Sequence, residues 1–160
     1  MKAANTASAL TQCQIKVCGI RDPRDAADLD ALGVDWLGFN FSPRSKRHIT
    51  PKAAAPLVRG LRRAIPVGVF VDEDPGRVAE IIRITGIRYA QLHGSEGWEY
   101  IAAMPIPVIK AIPHDRLADL GGLREGLARA QAGSPTIGAA PTGAASPNSS
   151  GSTPSSRHGS

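Results

Sequence analysis

A lysine and a cysteine near the start of the chain have the types and the spacing to do chemistry together. Lys16 and Cys18 stand where a predicted strand that begins at Gln14 reaches its last residues. Because side chains alternate across a strand, both point to one face, with the ammonium roughly 6–7 Å from the thiol. A nearby cation favours the thiolate, which is the form of cysteine that acts as a base or nucleophile. The pair alone leaves two interpretations open: a reactive cysteine, or a small buried thiol beside a lysine whose ammonium reaches solvent.

The elements that must position this pair alternate between strand and helix. Predicted strands begin near residues 14, 36, 66, 88 and 107. Three predicted helices begin with a capping residue followed by proline, at Asp22-Pro23, Thr50-Pro51 and Asp74-Pro75. Strand starts about 20–30 residues apart are typical of parallel strands joined by single helices. This pattern predicts that residues 14–130 form five βα units of the α/β class. The units could form an open doubly wound sheet or part of a barrel.

Polar side chains stand where several of the predicted strands end. Cys18 ends the first strand, Asn40 lies near the end of the second, Gln91 and His93 close the fourth, and the fifth ends just past Lys110. In β/α barrels the carboxyl ends of the strands carry the active site. Each residue taken singly is better explained as hydrogen-bonded scaffold, but together they favour a site at this edge of the sheet.

A basic loop over residues 42–48 follows the second predicted strand. Nucleic-acid binding is not indicated, because aromatic residues make up only 4% of the chain and none is interleaved with the basic residues. Arginine is suited to bidentate capture of a carboxylate or a phosphate, so the loop is interpreted as a clamp for a small anionic substrate. A solvated loop is the alternative.

The composition excludes several classes of protein. The formal net charge of +5 and the two cysteines among 160 residues indicate neither a disulfide framework nor a strongly basic nucleic-acid binder. No run approaches the 18 or so apolar residues of a membrane span, and the first residues lack the apolar core of a secretory signal. No His, Cys and carboxylate cluster has metal-ligand spacing, so no metal is predicted. The cytoplasm is the expected compartment, and the oligomeric state is not indicated.

The two ends of the chain differ in composition from its middle. Residues 131–160 contain 25 Gly, Ala, Ser, Pro or Thr out of 30, and such a segment buries too little apolar surface to offset the entropy of ordering it. We therefore predict a flexible extension over 1–13, a folded region over 14–130 and a disordered, low-complexity tail over 131–160.

Six blocks of the sequence resemble the phosphoribosylanthranilate isomerases of tryptophan biosynthesis. In order, they read KVCGI (16–20), GVDWLGF (33–39), SPRSKR (42–47), VGVFV (67–71), QLHG (91–94) and VIKA (108–111). They follow the family's order and spacing over about residues 14–112. The resemblance implies a parallel β/α barrel of the TIM type. Since such a barrel needs eight units and about 250 residues, this chain would hold an incomplete one of about five strands.

The resemblance also implies an activity and roles for particular residues. The family catalyses an Amadori rearrangement, in which the ribose ring opens and a proton leaves C2 through an enolamine. Cys18 would be the general base, Arg47 would hold the anthranilate carboxylate and His93 would line the pocket, with no cofactor. The strand-face argument adds Lys16 as support for the thiolate, and the strand-end argument adds Asn40 and Gln91 as substrate-binding residues.

The chain also departs from the family pattern. The aspartate that serves the family as general acid has no counterpart, and neither Asp115 nor Asp119 ends a predicted strand. We therefore expect a truncated or frameshifted isomerase whose native frame ends near residue 130, which the other two reading frames of the gene would test. Two hypotheses remain: an isomerase with impaired activity, or a non-catalytic half-barrel that binds a phosphate metabolite or a complementary fragment.

Overall fold

The computed structural model describes residues 13–114 and 120–133. Strands and helices alternate along both ranges. In chain order they are β1 (Lys16–Cys18), α1 (Pro23–Leu32), β2 (Trp36–Asn40), α2 (Pro51–Gly60), β3 (Ile65–Phe70), α3 (Pro75–Thr85), β4 (Tyr89–Leu92), α4 (Trp98–Ala102), β5 (Val108–Lys110) and α5 (Leu120–Gly133).

Local sequence signals set the bounds of the first helices. Asp22, Thr50 and Asp74 each accept a backbone N–H from the first turn of the helix that follows, and a proline occupies the first helical position in each case. Gly33 and Gly86 end α1 and α3 with φ angles of 83° and 73°, a left-handed conformation that favours glycine. The predicted cap-plus-proline helix starts are confirmed.

The last helix differs from its prediction. A pattern over about residues 116–130 predicted it, whereas α5 continues to Gly133, three residues into the segment predicted as tail. Residues 1–12, 115–119 and 134–160, and with them Asp115 and Asp119, lie outside the described residues.

The five strands form one parallel sheet in the order β1-β2-β3-β4-β5. A doubly wound sheet reverses its strand order at a switch point, whereas a β/α barrel adds each strand beside the last. Because crossovers between parallel strands are right-handed, an unreversed order places the connecting helices on one side of the sheet. The sheet is therefore a partial β/α barrel, and the predicted α/β class is confirmed.

The side of the sheet that carries the helices holds the main hydrophobic core. Strand residues Leu37, Phe39 and Leu92 are fully buried there and belong to one cluster with helix residues such as Val58 and Val78. Each fully buried side chain of this size contributes about 1.5–3 kcal/mol through the hydrophobic effect. This core fixes which side of each strand faces the helices.

The other side of the sheet is called the inner face here. Strand alternation and the register place on it Lys16, Cys18, Trp36, Gly38, Asn40, Ile65, Val67, Val69, Tyr89, Gln91 and Ile109. Near the amino ends of the strands, the rings of Trp36 and Tyr89 meet edge to face, with centroids 4.8 Å apart and planes at 77°. Val67 lies in the strand between them and is fully buried. The two rings therefore form an apolar floor to the inner face.

None of the helices in the two described ranges is long and apolar enough to cross a membrane.

At the amino edge of the sheet, one buried carboxylate joins α1 to the turn before β3. The Asp30 carboxylate accepts backbone N–H groups from Arg62 (3.0 Å), Arg63 (3.0 Å) and Ala64 (2.7 Å). Burial by itself raises the pKa of Asp30, but the three backbone donors outweigh it and hold the pKa below the ordinary value of 3.8. The ionised carboxylate therefore stabilises this turn.

We predict that Asp30→Asn lowers the free energy of unfolding by about 1–3 kcal/mol at neutral pH, because one acceptor oxygen becomes a donor that faces backbone N–H groups. Urea denaturation measures the change. Asp28→Asn, at an exposed carboxylate on the same helix, is the matched control.

A carboxylate whose pKa is lowered in the folded state stabilises the fold above the unfolded-state pKa of about 3.9, and this stabilisation is lost as the pH falls through the folded-state pKa. The difference between wild type and Asp30→Asn should therefore shrink below about pH 4. Equal losses in both variants would contradict this role.

Candidate active site

Cys18 and Lys16 meet over a residue that has no side chain. The register sets Cys18 beside Gly38 of β2. A Cβ atom built on Gly38 would lie 2.8 Å from the Cys18 Sγ and 3.1 Å from the Lys16 Nζ. The thiol and the ammonium therefore share the space that a side chain at Gly38 would fill. Their common face was predicted from strand alternation, and Cys18 is half-buried.

The Arg47 side chain lies across the backbone that follows Cys18. Its Nη1 donates to the Cys18 carbonyl oxygen at 3.1 Å. Gly19 has a φ of +92°, and a Cβ atom there would overlap the Arg47 Cδ. Gly19 thus supplies both the left-handed backbone and the free surface on which the arginine packs. The predicted carboxylate clamp and the predicted base are in direct contact.

The loop that carries Arg47 is organised by short-range hydrogen bonds. Asn40 Oδ1 accepts the backbone N–H of Ser42 at 3.0 Å, and Ser45 Oγ accepts that of Arg47 at 3.1 Å. From the loop after β1, Arg21 donates to the Lys46 carbonyl oxygen at 3.0 Å. Asn40 therefore shapes the loop with its side-chain oxygen while its strand position keeps it on the inner face.

Gln91 and His93 approach the site from β4. Gln91 is in register with Val69, which is in turn in register with Asn40, so the two polar residues occupy one row of the inner face. His93 follows the end of β4, where its backbone N–H donates to the Phe70 carbonyl oxygen at 2.9 Å and its side chain is exposed. The structure thus gathers the predicted residues of three strands at the carboxyl edge of the sheet.

Lys110 departs from the pattern of polar strand ends. It is in register with the buried Leu92, so its side chain lies on the helix-covered face and not on the inner face. There its Nζ donates to Glu96 and to the Gly94 carbonyl oxygen. Lys110 therefore does not lie beside Cys18. Successive side chains of a strand point to opposite faces, and the register places these two residues on opposite faces of the sheet.

Two carboxylates at this edge are candidates for a general acid. Hydrogen bonds from Ser95 are the main cause that lowers the pKa of Asp72. Burial raises the pKa of Glu96, but its hydrogen bonds to Lys110 and to the Asp72 backbone lower it further than burial raises it. A general acid must carry a proton near the working pH. Both carboxylates are ionised at neutral pH, so neither fits that role.

Sequence reasoning missed Gly38 and Glu96. A lone glycine inside an apolar strand is a signal of close approach by another group, and it could have pointed to Gly38. Nothing in the sequence alone distinguished Glu96 from the chain's other glutamates, since its role comes from contacts between separate loops. Within residues 13–114 and 120–133, no three His, Cys, Asp or Glu side chains are grouped so that they could hold a metal ion.

The arrangement fits proton transfer on a small anion. A cysteine beside an ammonium group is suited to take up a proton, and an adjacent arginine is suited to hold a carboxylate. The Trp36 and Tyr89 rings lie on the same face of the sheet as the thiol.

Comparison with known proteins relates the chain to one family. The family model described as N-(5'phosphoribosyl)anthranilate (PRA) isomerase matches residues 15–133. The chain is 51% identical over 84 residues to the N-(5'-phosphoribosyl)anthranilate isomerase of Solibacter usitatus, covering 52% of this chain and 41% of that protein. It is 40% identical over 99 residues to that of Symbiobacterium thermophilum, covering 61% and 44%. The chain thus spans less than half the length of these two relatives.

Solved structures agree with the fold. The phosphoribosyl anthranilate isomerase of Thermus thermophilus superposes with a TM-score of 0.62 at 37% identity, over 67% of this chain and 57% of that one. A phosphoribosyl anthranilate isomerase in complex with reduced 1-(o-carboxyphenylamino)-1-deoxyribulose 5-phosphate superposes with a TM-score of 0.66 at 33% identity, over 71% and 62%. The predicted resemblance and the predicted barrel type are confirmed, and the chain belongs to the N-(5'-phosphoribosyl)anthranilate isomerase family.

Proposed function

We propose that this chain catalyses the Amadori rearrangement of N-(5'-phosphoribosyl)anthranilate, with Cys18 as the general base. The observation that carries the proposal is the shared space over Gly38, where the Cys18 Sγ and the Lys16 Nζ come together. Opening of the ribose ring leaves C1 doubly bonded to the anthranilate nitrogen. The thiolate then takes the proton from C2, the electron pair of that C–H bond forms the C1=C2 double bond of the enolamine, and the C1=N π pair moves to the nitrogen. The Lys16 ammonium lies on the same face, next to the thiol.

The remaining predicted residues take substrate-binding roles in this proposal. Arg47 offers a planar guanidinium with five N–H donors, of which one binds the Cys18 carbonyl oxygen. No other acceptor within residues 13–114 and 120–133 takes a hydrogen bond from this guanidinium, so its remaining donors can form a bidentate pair with the anthranilate carboxylate, next to the base. Asn40 and Gln91 share a row of the inner face and contact the open-chain sugar, while His93 lines the mouth of the pocket.

The substrate class is a small anion that carries a phosphate. This class is supported by the solved structure of a relative in complex with reduced 1-(o-carboxyphenylamino)-1-deoxyribulose 5-phosphate. The proposal needs no cofactor and assigns the reaction to the cytoplasm, a compartment that keeps a catalytic cysteine reduced. Both cysteines of the described residues are free thiols.

The first test compares the wild-type chain with Cys18→Ala. We expect the substitution to lower turnover of phosphoribosylanthranilate, followed by its fluorescence, by about 10²–10⁴-fold because the base is lost. Binding of the reduced deoxyribulose phosphate, measured by calorimetry, should stay within a few-fold because Arg47 and the inner face are unchanged. Cys13→Ala, at an exposed cysteine outside the strands, is the control and should match the wild type.

The outcomes separate the parts of the proposal. Equal turnover by wild type and Cys18→Ala would overturn the assignment of the base. Binding of the compound by the wild type without turnover would support the binding site and would overturn the proposal that this chain catalyses the reaction. Absence of both would overturn the proposed substrate.

A second test fills the space over Gly38. Gly38→Ala forces the Cys18 thiol or the Lys16 ammonium to shift, because a Cβ atom would lie 2.8 Å and 3.1 Å from them. We expect a changed rate of alkylation of Cys18 by iodoacetamide, measured in a Cys13→Ala background, together with lower turnover. Gly60→Ala is the matched control, since a Cβ atom there meets no other atom within 4 Å. An alkylation rate equal to that of the control would show that the space over Gly38 does not position the thiol.

A further inference from the structure

Glu96 is a buried carboxylate that joins three separate segments at the catalytic edge. Its side chain is 2% exposed. Oε1 accepts the backbone N–H of Asp72 at 2.8 Å, in the loop after β3. Oε2 accepts the backbone N–H of Gly94 at 2.9 Å and the Nζ of Lys110 at 2.7 Å. A buried charge is costly unless it is paired and hydrogen-bonded, and each of these contacts offsets that cost.

Lys110 completes the connection to the loop after β4. Its Nζ also donates to the Gly94 carbonyl oxygen at 2.6 Å. Both backbone polar groups of Gly94 are therefore bound, the N–H by Glu96 and the carbonyl by Lys110. We call Glu96, Lys110 and the Gly94 backbone the clasp.

A second set of contacts locks the loop after β3 to the loop after β4. Asp72 Oδ1 accepts the backbone N–H of Ser95 at 2.6 Å and its hydroxyl at 2.8 Å. Asp72 has a φ of +50°, a left-handed conformation that aspartate adopts more readily than most residues other than glycine. A Cβ atom on Gly94 would overlap the Asp72 carboxylate. These contacts hold the two loops against each other.

His93 lies directly before the clasped residue. Its own N–H donates to the Phe70 carbonyl oxygen at 2.9 Å, and the next peptide is held by Glu96 and Lys110. The backbone is thus fixed on both sides of a residue whose side chain is exposed. The fixed backbone sets the position of the His93 Cα–Cβ bond, from which the imidazole extends.

We propose that Glu96, with Lys110, is a positioning residue that sets the His93 side chain at the mouth of the pocket. The inference rests on the proposed function, in which His93 contacts the substrate. Glu96 acts through the backbone of Gly94, from the helix-covered side of the sheet. The lowered pKa of Glu96 agrees with this role, because only the ionised carboxylate accepts all three hydrogen bonds.

The experiment compares Glu96→Gln with Glu99→Gln, an exposed glutamate in the next helix. We expect Glu96→Gln to speed hydrogen exchange of the Asp72 and Gly94 amides and to shift or broaden the His93 imidazole signals in NMR spectra. Glu99→Gln should leave these signals as in the wild type. Unchanged imidazole signals in folded Glu96→Gln would overturn the proposal.

A double-mutant cycle tests whether Glu96 acts through His93. We expect Glu96→Gln to weaken binding of the reduced deoxyribulose phosphate by about tenfold, and to add almost nothing once His93→Ala is present. Losses that simply add would assign Glu96 a structural role alone and overturn the proposal. If the wild type does not bind the compound, the proposed function fails, while the imidazole signals still decide the role of the clasp.

A second variant is needed for the case in which Glu96→Gln does not fold. Glu96→Gln combined with Lys110→Met leaves no unpaired buried charge and repeats the comparison if Glu96→Gln alone does not fold. Failure of both variants to fold would show that the clasp serves stability and would overturn the proposal.

Discussion

The register between β1 and β2 is the constraint on which the rest of the site depends. Cys18 pairs with Gly38, and this pairing sets the thiol and the Lys16 ammonium over a position without a side chain. A slip of one residue would turn both groups into the helix-covered core. The backbone of Gly38 reinforces the register, because its carbonyl oxygen accepts the N–H groups of Gly19 and Ile20 at 2.9 and 3.0 Å. The short β1 strand is therefore anchored beyond its own end.

The buried carboxylates at the two edges of the sheet bind different kinds of partner. At the amino edge, Asp30 binds three consecutive N–H groups of one turn, which is a local stabilising contact. At the carboxyl edge, Glu96 binds the backbone of two loops and the Lys110 ammonium, so it relates loops that carry candidate site residues. This division agrees with the general pattern of β/α barrels, in which one face serves stability and the other serves chemistry.

Much of the fold could be predicted because its signals are local. Capping residues followed by proline marked three helix starts, and the spacing of the strands indicated parallel βα units. The shared face of Lys16 and Cys18 followed from strand alternation. The face of Lys110 could not be assigned from local signals, because the side on which a strand presents each residue is fixed by its register with the neighbouring strand. Glu96 was missed for the same reason, since two of its partners, Asp72 and Lys110, lie in another loop and in β5.

The aromatic pair on the inner face has a consequence for assembly. Trp36 belongs to β2 and Tyr89 to β4, so their rings meet across a strand that contributes neither of them. The contact requires β3 to be in place with Val67 beneath the rings, and it joins residues far apart in the chain, whose closure carries an entropic cost. We expect this pair to form only after three strands have docked. The fluorescence of the Trp36 indole should therefore report when β2, β3 and β4 have assembled into a sheet.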